Sequence, residues 1–198
     1  MAATKSASKS SASKSRSKSA AKAAKARRTR RTGRRDPLAV RLLKEDHREV
    51  EKMFDEYEQL DDDQEKLELF NKIATALKVH TQIEEEIFYP EERGEVEDDM
   101  LDEAWVEHDG AKKLIAEIEA MEPGDEYYDA KVKVLGEYIK HHVKEEEQPG
   151  GIFSQAKKGD EDLDEMGERI QARKEELMAE MGEPMMAKAP SRKNGRKH

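Results

Sequence analysis

The residues of this sequence that are best suited to chemistry are its histidines. Apart from the terminal His198, they are His47, His80, His108 and the adjacent pair His141 and His142. The chain of 198 residues contains no cysteine, which excludes disulfides, thiolate metal sites and cysteine nucleophiles. Any metal site in this protein must therefore be built from histidine and carboxylate ligands.

Two of these histidines are followed four residues later by a glutamate, His80 by Glu84 and His142 by Glu146. Residues four apart stack on one face of a helix, so an imidazole and a carboxylate can converge on a single ion. Since 46 of the 198 residues are acids, one such pair arises readily by chance. The two pairs are better evidence for a metal site than a single pair, because both lie on the apolar stripe of their predicted helices.

Four long amphipathic helices are predicted from apolar residues that recur at helical spacing. We expect them at about 36–60, 64–89, 97–121 and 125–147. Asp36 and Pro37 suit an N-cap and a first helical position, and Pro90 is expected to end the second helix. No sustained alternation predicts strands. Short connections between long helices favour an all-α, up-down-up-down antiparallel four-helix bundle.

This bundle would bring four histidines to one level. In an antiparallel pair with a short loop, residues lie at the same height when they are equally far from the turn. His80 and His108 lie about nine and eleven residues from the turn that joins their helices, roughly 14 and 17 Å at about 1.5 Å per residue. Similar counts for His47 and His142 fall within about one helical turn of the same layer. The apolar stripe places His142 inward and His141 nearer the rim.

Four inward histidines and two glutamates at one level of a core are costly without a cation, because buried polar groups need partners. Mixed imidazole and carboxylate ligands without sulfur suit iron, manganese or zinc better than magnesium or calcium. Six protein ligands exceed what one tetrahedral zinc uses, whereas two octahedral ions that share bridging carboxylates would use them all. The residues favour a dinuclear iron site, with manganese or zinc as alternatives.

The charge is distributed unevenly along the chain. Residues 1–35 carry thirteen Lys or Arg and no acid, and five more bases follow Glu183. Residues 36–183 hold all 46 acids against nineteen bases. Because the basic segments have little apolar surface to bury, we predict that 1–35 and 183–198 are disordered tails. The N-terminal tail is expected to bind nucleic acid or another polyanion; a solubilising tail or an organellar transit peptide are the alternatives.

Between the tails we expect the bundle at 36–153 and a C-terminal helix within 154–182 that packs on its outside. This helix carries an apolar stripe of Leu163, Met166, Ile170, Leu177 and Met181. No run approaches the roughly 18 apolar residues that a membrane helix needs, and no secretory apolar segment is present. We therefore expect a cytoplasmic protein without membrane contact, unless the N-terminal tail directs it to an organelle.

Four segments in series resemble the bacterial hemerythrin-like, or HHE cation-binding, domain. They are "LLKEDHREVEKMFDEYE", "VHTQIEEEIFYP", "EHDGAKKLI" and "EYIKHHVKEEE". The resemblance covers about residues 37–153 and implies a four-helix bundle with an oxo- or hydroxo-bridged di-iron centre. The metal ligands that it implies by position are His47, His80, Glu84, His108, His142 and Glu146. Glu84 and Glu146 would bridge the two irons.

The chain departs from the oxygen-carrying members of this family at two places. The positions four either side of His108 are Ala104 and Lys112, where those members have a second histidine on this helix. The groups that could complete the metal shell instead are His141, Glu145, Glu107 or water. The break "QPGGIFSQ" after Glu147 either frames an opening to the site or only ends the helix.

The function predicted from these features is that of a metal-binding protein, more a binding or sensing protein than an enzyme. Its di-iron centre would handle oxygen, nitric oxide or peroxide in sensing, storage or stress response. A di-iron oxidase or peroxidase-like enzyme is the alternative from another class. A third hypothesis is a nucleic-acid-associated protein that acts through its basic tails.

Overall fold

The structure, a computed structural model, describes residues 35–182 and is helical throughout. Its elements are α1 (Leu38–Tyr57), α2 (Asp63–Ile83), a π-helical segment (Glu84–Phe88), α3 (Tyr89–Glu92), α4 (Asp98–Glu119), α5 (Tyr128–Glu147), α6 (Ile152–Ala156) and α7 (Leu163–Gly182). No strand occurs between residues 35 and 182, where a single isolated bridge joins Arg93 and Val96. The all-α expectation is confirmed for this part of the chain. The predicted disordered tails lie outside the described residues, apart from Arg35.

The start of α1 differs from the expectation that Asp36 caps it. Pro37 occupies the N-cap position and makes no side-chain capping bond. The N–H of Leu38 instead donates to Asp164 of α7 over 2.9 Å. Asp36 forms ion pairs with Lys44 and with Lys157 at 3.0 and 2.9 Å. The cap of α1 is therefore supplied by the C-terminal helix, a contact that local sequence could not reveal.

Pro90 does not end the second long helix, contrary to the prediction. The helix widens into the π segment, where the N–H of Tyr89 donates to the carbonyl of Glu84, and the turn of α3 continues through Pro90. A proline inside a helix normally clashes with the carbonyl four residues before it, and the wider π turn relieves this crowding. Because of the extra residue in this turn, Tyr89 rather than Phe88 shares a face with Glu84.

The core consists of two apolar clusters with a polar layer between them. The first contains Leu43, Ile83 and Leu101 with the buried side chains of α6 and α7. The second contains Val50, Leu77 and further residues toward the other ends of the long helices. On α1, α2 and α4, a buried histidine lies between residues of the first and second clusters, and on α5 His142 follows Ile139 of the second cluster. The polar layer is consequently enclosed by apolar side chains on both sides.

Helix α7 packs on α1, α2 and the π segment. Four residues of its predicted apolar stripe are buried: Leu163, Met166, Ile170 and Leu177. The fifth, Met181, is 37% exposed. Helix α7 crosses α1 closely at Gly167, where a Cβ would lie 2.6 Å from the backbone nitrogen of Ala39. Along residues 35–182, no helix has the length and apolar character needed to cross a membrane.

Candidate metal centre

Six side chains meet in the polar layer, and they are the six singled out from the sequence. Helices α1, α2, α4 and α5 contribute one histidine each, while the π segment and α5 contribute the glutamates. The residues are His47, His80, Glu84, His108, His142 and Glu146, and none is more than 5% exposed. The structure brings all six together; that they bind a metal stays a prediction.

The four histidines form two pairs through their Nε2 atoms. Nε2 of His47 lies 3.1 Å from Nε2 of His80, and Nε2 of His108 lies 3.2 Å from Nε2 of His142. Two nitrogen ligands bound to one ion at about 2.1 Å are themselves about 3.0 to 3.4 Å apart at octahedral or tetrahedral angles. Each pair therefore has the spacing of two ligands on a single ion.

Glu84 and Glu146 connect the two histidine pairs. The Oε2 atom of Glu84 lies 3.2 Å from Nε2 of His80 and 3.3 Å from Nε2 of His108. The Oε2 atom of Glu146 lies 3.3 Å from Nε2 of His47 and 3.7 Å from Nε2 of His142. Each carboxylate thus faces one member of each pair, which is the arrangement of a ligand that bridges two ions.

Each histidine also faces a carboxylate with its other ring nitrogen, Nδ1. Three of these contacts are hydrogen bonds: His47 with Glu147 at 2.8 Å, His108 with Glu85 at 3.0 Å, and His142 with Glu107 at 2.7 Å. Nδ1 of His80 lies 3.5 Å from Asp46, too far for a good hydrogen bond. Because an ionised carboxylate only accepts, Nδ1 carries a proton in the three hydrogen-bonded rings, and their Nε2 atoms face the layer, where each can bind a proton or a metal cation.

The histidine Nε2 atoms and the glutamate carboxylates that face the layer require positive charge between them. Oε1 of Glu84 and Oε2 of Glu146 are buried without a hydrogen-bond partner. Burial alone would lower the pKa of His80, but Glu84 and Asp46 raise it to about 10. Burial opposes ionisation of Glu84, yet His80 and His108 hold its pKa well below the usual range. Protons supply the positive charge in the metal-free protein, and a metal cation would take their place. The donor set therefore fits a cation.

Tyr89 also belongs to this layer, although the sequence analysis did not include it. Its hydroxyl donates to Oε1 of Glu146 over 2.9 Å and lies 3.3 Å from both Glu84 and Nε2 of His108. Burial, reinforced by the two carboxylates, raises the pKa of Tyr89 well above 10, so the hydroxyl keeps its proton. In the sequence, Pro90 was the feature that could have pointed to Tyr89, because a proline within a helix can accompany a widened turn that changes which residues share a face.

The break after α5 closes one side of the layer. A Cβ at Gly151 would lie 2.2 Å from the carbonyl oxygen of Glu145, so only glycine lets the chain turn this tightly against α5. Helix α6 then stacks the ring of Phe153 on that of His47, with centroids 5.7 Å apart and an interplanar angle of 13°. The segment "QPGGIFSQ" does more than end α5, and it does not frame an opening to the site, because Phe153 covers His47.

A small cavity of about 10 Å³ adjoins the histidines on another side. Its apolar lining comes from Val50, Leu77, Ile139 and Val143. This volume is near the least that holds one water molecule, about 10 to 15 Å³ on a water-sized probe. Any molecule that reaches the histidines here without rearrangement must therefore be very small.

The groups expected to complete the metal shell form a separate cluster at the rim. Donor atoms of Glu107, His141 and Glu145 lie within 4.8 Å of one another, and the side chain of His141 is 58% exposed. Only Glu107 contacts the layer, through its hydrogen bond to Nδ1 of His142. Lys112, one of the two positions four residues from His108, forms an ion pair with Glu85 at 2.5 Å. It thereby anchors the carboxylate that holds His108.

Helices that enclose a buried layer of histidines and carboxylates form a candidate cation site in a helical protein. Residues 38–149 match the family described as the hemerythrin HHE cation binding domain, and the chain belongs to this family. The chain is also similar to a protein named DNA nickase from Nostoc sp. (strain PCC 7120 / SAG 25.82 / UTEX 2576), with 30% identity over 106 residues. The match spans 54% of this chain and 30% of that relative. No solved structure matches the chain.

Proposed function

We propose that this protein binds two iron ions in the polar layer and handles oxygen, nitric oxide or peroxide in sensing, storage or stress response. The observation that supports it best is the pair of Nε2–Nε2 contacts joined by two buried glutamates. His47 and His80 would hold one ion and His108 and His142 the other. Glu84 and Glu146 would be shared, with an oxo or hydroxo group as a further bridge, as the family resemblance implies.

Iron is preferred to manganese and zinc because the family resemblance implies a di-iron centre. Nitrogen and carboxylate ligands without sulfur suit all three metals. Six protein ligands exceed the four positions of a single tetrahedral zinc ion, which supports two ions. Bound iron would supply reversible oxidation and reduction toward a small molecule.

The residues around the layer would orient its ligands and exclude water. Carboxylates on Nδ1 fix the orientation of the imidazole rings and make them better donors. Phe153 and the two apolar clusters keep bulk water away, while the small cavity limits what can approach. The hydroxyl of Tyr89 holds a proton 2.9 Å from Glu146 and can donate a hydrogen bond within the layer.

We propose that the scaffold is an up-down-up-down antiparallel four-helix bundle made of α1, α2, α4 and α5. Tyr57 at the end of α1 bonds to Asp129 at the start of α5 over 2.8 Å. Arg48, earlier in α1, pairs with Glu147 at the end of α5 over 2.6 Å. This order supports opposite directions for the two helices, and α1–α2, α4–α5 and α2–α4 contacts connect the remaining neighbours.

The metal proposal is tested by elemental analysis of protein purified without chelators. We expect about two irons per chain and a visible charge-transfer band, and His80→Ala should abolish both. His141→Ala, at the exposed rim, is the matched control and should retain them. Full metal retention in His80→Ala would refute the site.

A di-iron oxidase or peroxidase-like enzyme is the second candidate, and the position of Tyr89 favours it. A buried hydroxyl that keeps its proton close to both glutamates is a hydrogen-bond donor suited to stabilising charge that develops in the layer during reduction of oxygen or peroxide. With an external reductant in excess to supply two electrons for each peroxide, the iron-loaded protein would then consume peroxide over many turnovers, and Tyr89→Phe would slow turnover without loss of iron. Consumption that stops after one equivalent per centre supports the binding protein instead.

We further propose that residues 1–35 bind DNA or another polyanion, in a protein that is cytoplasmic unless this segment directs it elsewhere. The thirteen basic residues of this segment support it, as does the name of the Nostoc relative, although the match covers 30% of that protein. Retention on immobilised DNA at low salt should be lost when residues 1–35 are deleted. Unchanged retention would eliminate the proposal.

A further inference from the structure

We propose that α7 completes the metal centre through Lys174, which acts as a positioning residue for His80. Helix α7 lies beyond residues 38–149, the part of the chain that matches the hemerythrin family. The inference rests on the proposed metal-binding function and adds a dependence on a helix outside the shared domain.

A chain of three charged side chains connects α7 to the polar layer. Nζ of Lys174 forms an ion pair with Oδ1 of Asp46, and Oδ2 of Asp46 faces Nδ1 of His80 at 3.5 Å. Nε2 of the same ring contacts Glu84 and His47 inside the layer. Asp46 is only 7% exposed, so its carboxylate lies between the lysine and the ring. Lys174 can therefore act on His80 without touching it.

His80 is the one histidine of the layer whose Nδ1 has no hydrogen bond. The other three rings are each held by a carboxylate at 2.7 to 3.0 Å. The orientation of His80 depends on a longer contact, and Lys174 keeps the Asp46 carboxylate in place for it. Removing one partner of a buried ion pair leaves an uncompensated charge. Without Lys174, the Asp46 carboxylate loses the contact that fixes its Oδ1 atom, so we expect its position against Nδ1 of His80 to change.

Further contacts of α7 are made with the elements that carry the same half of the site. Arg173 bonds to Glu86 of the π segment over 2.7 Å, and Arg169 bonds to Glu91 over 2.6 Å. Asp164 caps α1 at Leu38. These contacts hold α1 and the π segment, which provide His47 and Glu84. Because Glu84 would be shared by both ions, the selective effect comes through His47 and His80, and we expect loss of the Lys174 contact to weaken the ion held by these two histidines before the other one.

The experiment compares Lys174→Met with the wild-type full-length, iron-loaded protein. Iron release to a ferrous chelator is followed together with the visible spectrum. Because partners of metal-bound histidines typically change metal affinity by about 10- to 100-fold, we expect one of the two irons to leave at least about tenfold faster. Lys174→Arg should restore most of the wild-type rate. Lys78→Met is the control, since the Lys78 side chain is about as exposed as that of Lys174 and forms its ion pair with Glu119 away from the layer.

Two further measurements separate positioning from general stability. Asp46→Asn should accelerate release as Lys174→Met does, and the double variant should be no faster than either, because both act through one contact. In the metal-free protein, the NMR signals of the His80 ring, assigned with His80→Ala, should shift in Lys174→Met while those of His108 stay in place. This second readout requires no iron.

The outcomes distinguish this inference from the function on which it rests. A wild-type protein that holds no iron contradicts the proposed function, and the NMR comparison still decides the role of Lys174. The inference is overturned if both irons leave Lys174→Met at wild-type rates and the His80 signals are unchanged. That result leaves the proposed function intact.

Discussion

The hydroxyl of Tyr89 donates to Oε1 of Glu146 across 2.9 Å, in the middle of a layer of buried histidines. Tyr89→Phe removes this donor and leaves a buried carboxylate with one partner fewer, which should cost about 1 to 3 kcal/mol of unfolding free energy. We expect the visible spectrum of the iron-loaded protein to change while its iron content does not. Denaturant unfolding and absorption spectra measure the two effects.

Tyr57→Phe is the matched control for this prediction, because Tyr57 donates to Asp129 over 2.8 Å outside the polar layer. It should lower stability with no change in the spectrum. Identical spectra for wild type and Tyr89→Phe would mean that Tyr89 has no influence on the bound metal.

Glu107→Ala should weaken metal binding although Glu107 is not among the proposed ligands. It removes the hydrogen bond that orients His142, and the loss of such a partner typically costs about 10- to 100-fold in metal affinity. Competition with a chelator of known affinity measures this change. Glu145→Ala, which affects the same rim cluster without touching His142, should bind metal as the wild type does. Equal losses in both variants would point to surface charge rather than to the ring.

Phe153→Ala should both destabilise the protein and expose the metal. Phe153 is 1% exposed, and truncation of a buried phenylalanine typically costs about 3 to 5 kcal/mol. Because Phe153 covers His47, we expect faster removal of iron by a bulky chelator. Trp105→Ala is the control, since Trp105 is a large aromatic residue that is 40% exposed. An unchanged removal rate in Phe153→Ala would show that access lies on another side.

Metal binding should release protons near neutral pH. The pKa of His80 is raised from 6.5 to about 10 in the metal-free protein, since Glu84 and Asp46 outweigh burial, whereas a metal requires the neutral ring. Calorimetric titrations in buffers of different ionisation enthalpy count the protons. Asp46→Asn, which removes one of the two carboxylates that raise this pKa, should release fewer protons, and equal release by both proteins would contradict the assignment.

The same shift predicts how the stability of the metal-free protein depends on pH. A group whose pKa is raised by folding stabilises the folded state fully below its unfolded value, here 6.5, and loses this effect as pH rises through the folded value. The unfolding free energy should therefore fall between about pH 6.5 and pH 10. Urea unfolding of the metal-free protein across this range tests it, and His80→Ala should show a weaker dependence.

The sequence alone predicted the four helices that carry the buried histidines and which of the histidines face inward. Each of these features depends on local periodicity, because the apolar pattern of a helix determines which of its faces is buried. For the same reason His142 could be separated from His141, and Glu84 from the glutamates that follow it. The family was also recognisable, since its motifs are short segments with fixed internal spacing.

Only the tertiary structure decided which other residues support the histidines. Among 46 acids, nothing local distinguishes Glu107 or Glu147 as partners of Nδ1, because each reaches a ring on a different helix. Tyr89 joined the layer through the π turn, which shifts the helical period by one residue. Lys174 and Asp46 are 128 residues apart in the chain, and only the packing of α7 on α1 brings them together. A periodic pattern determines what a helix buries, whereas its partners depend on how the helices pack.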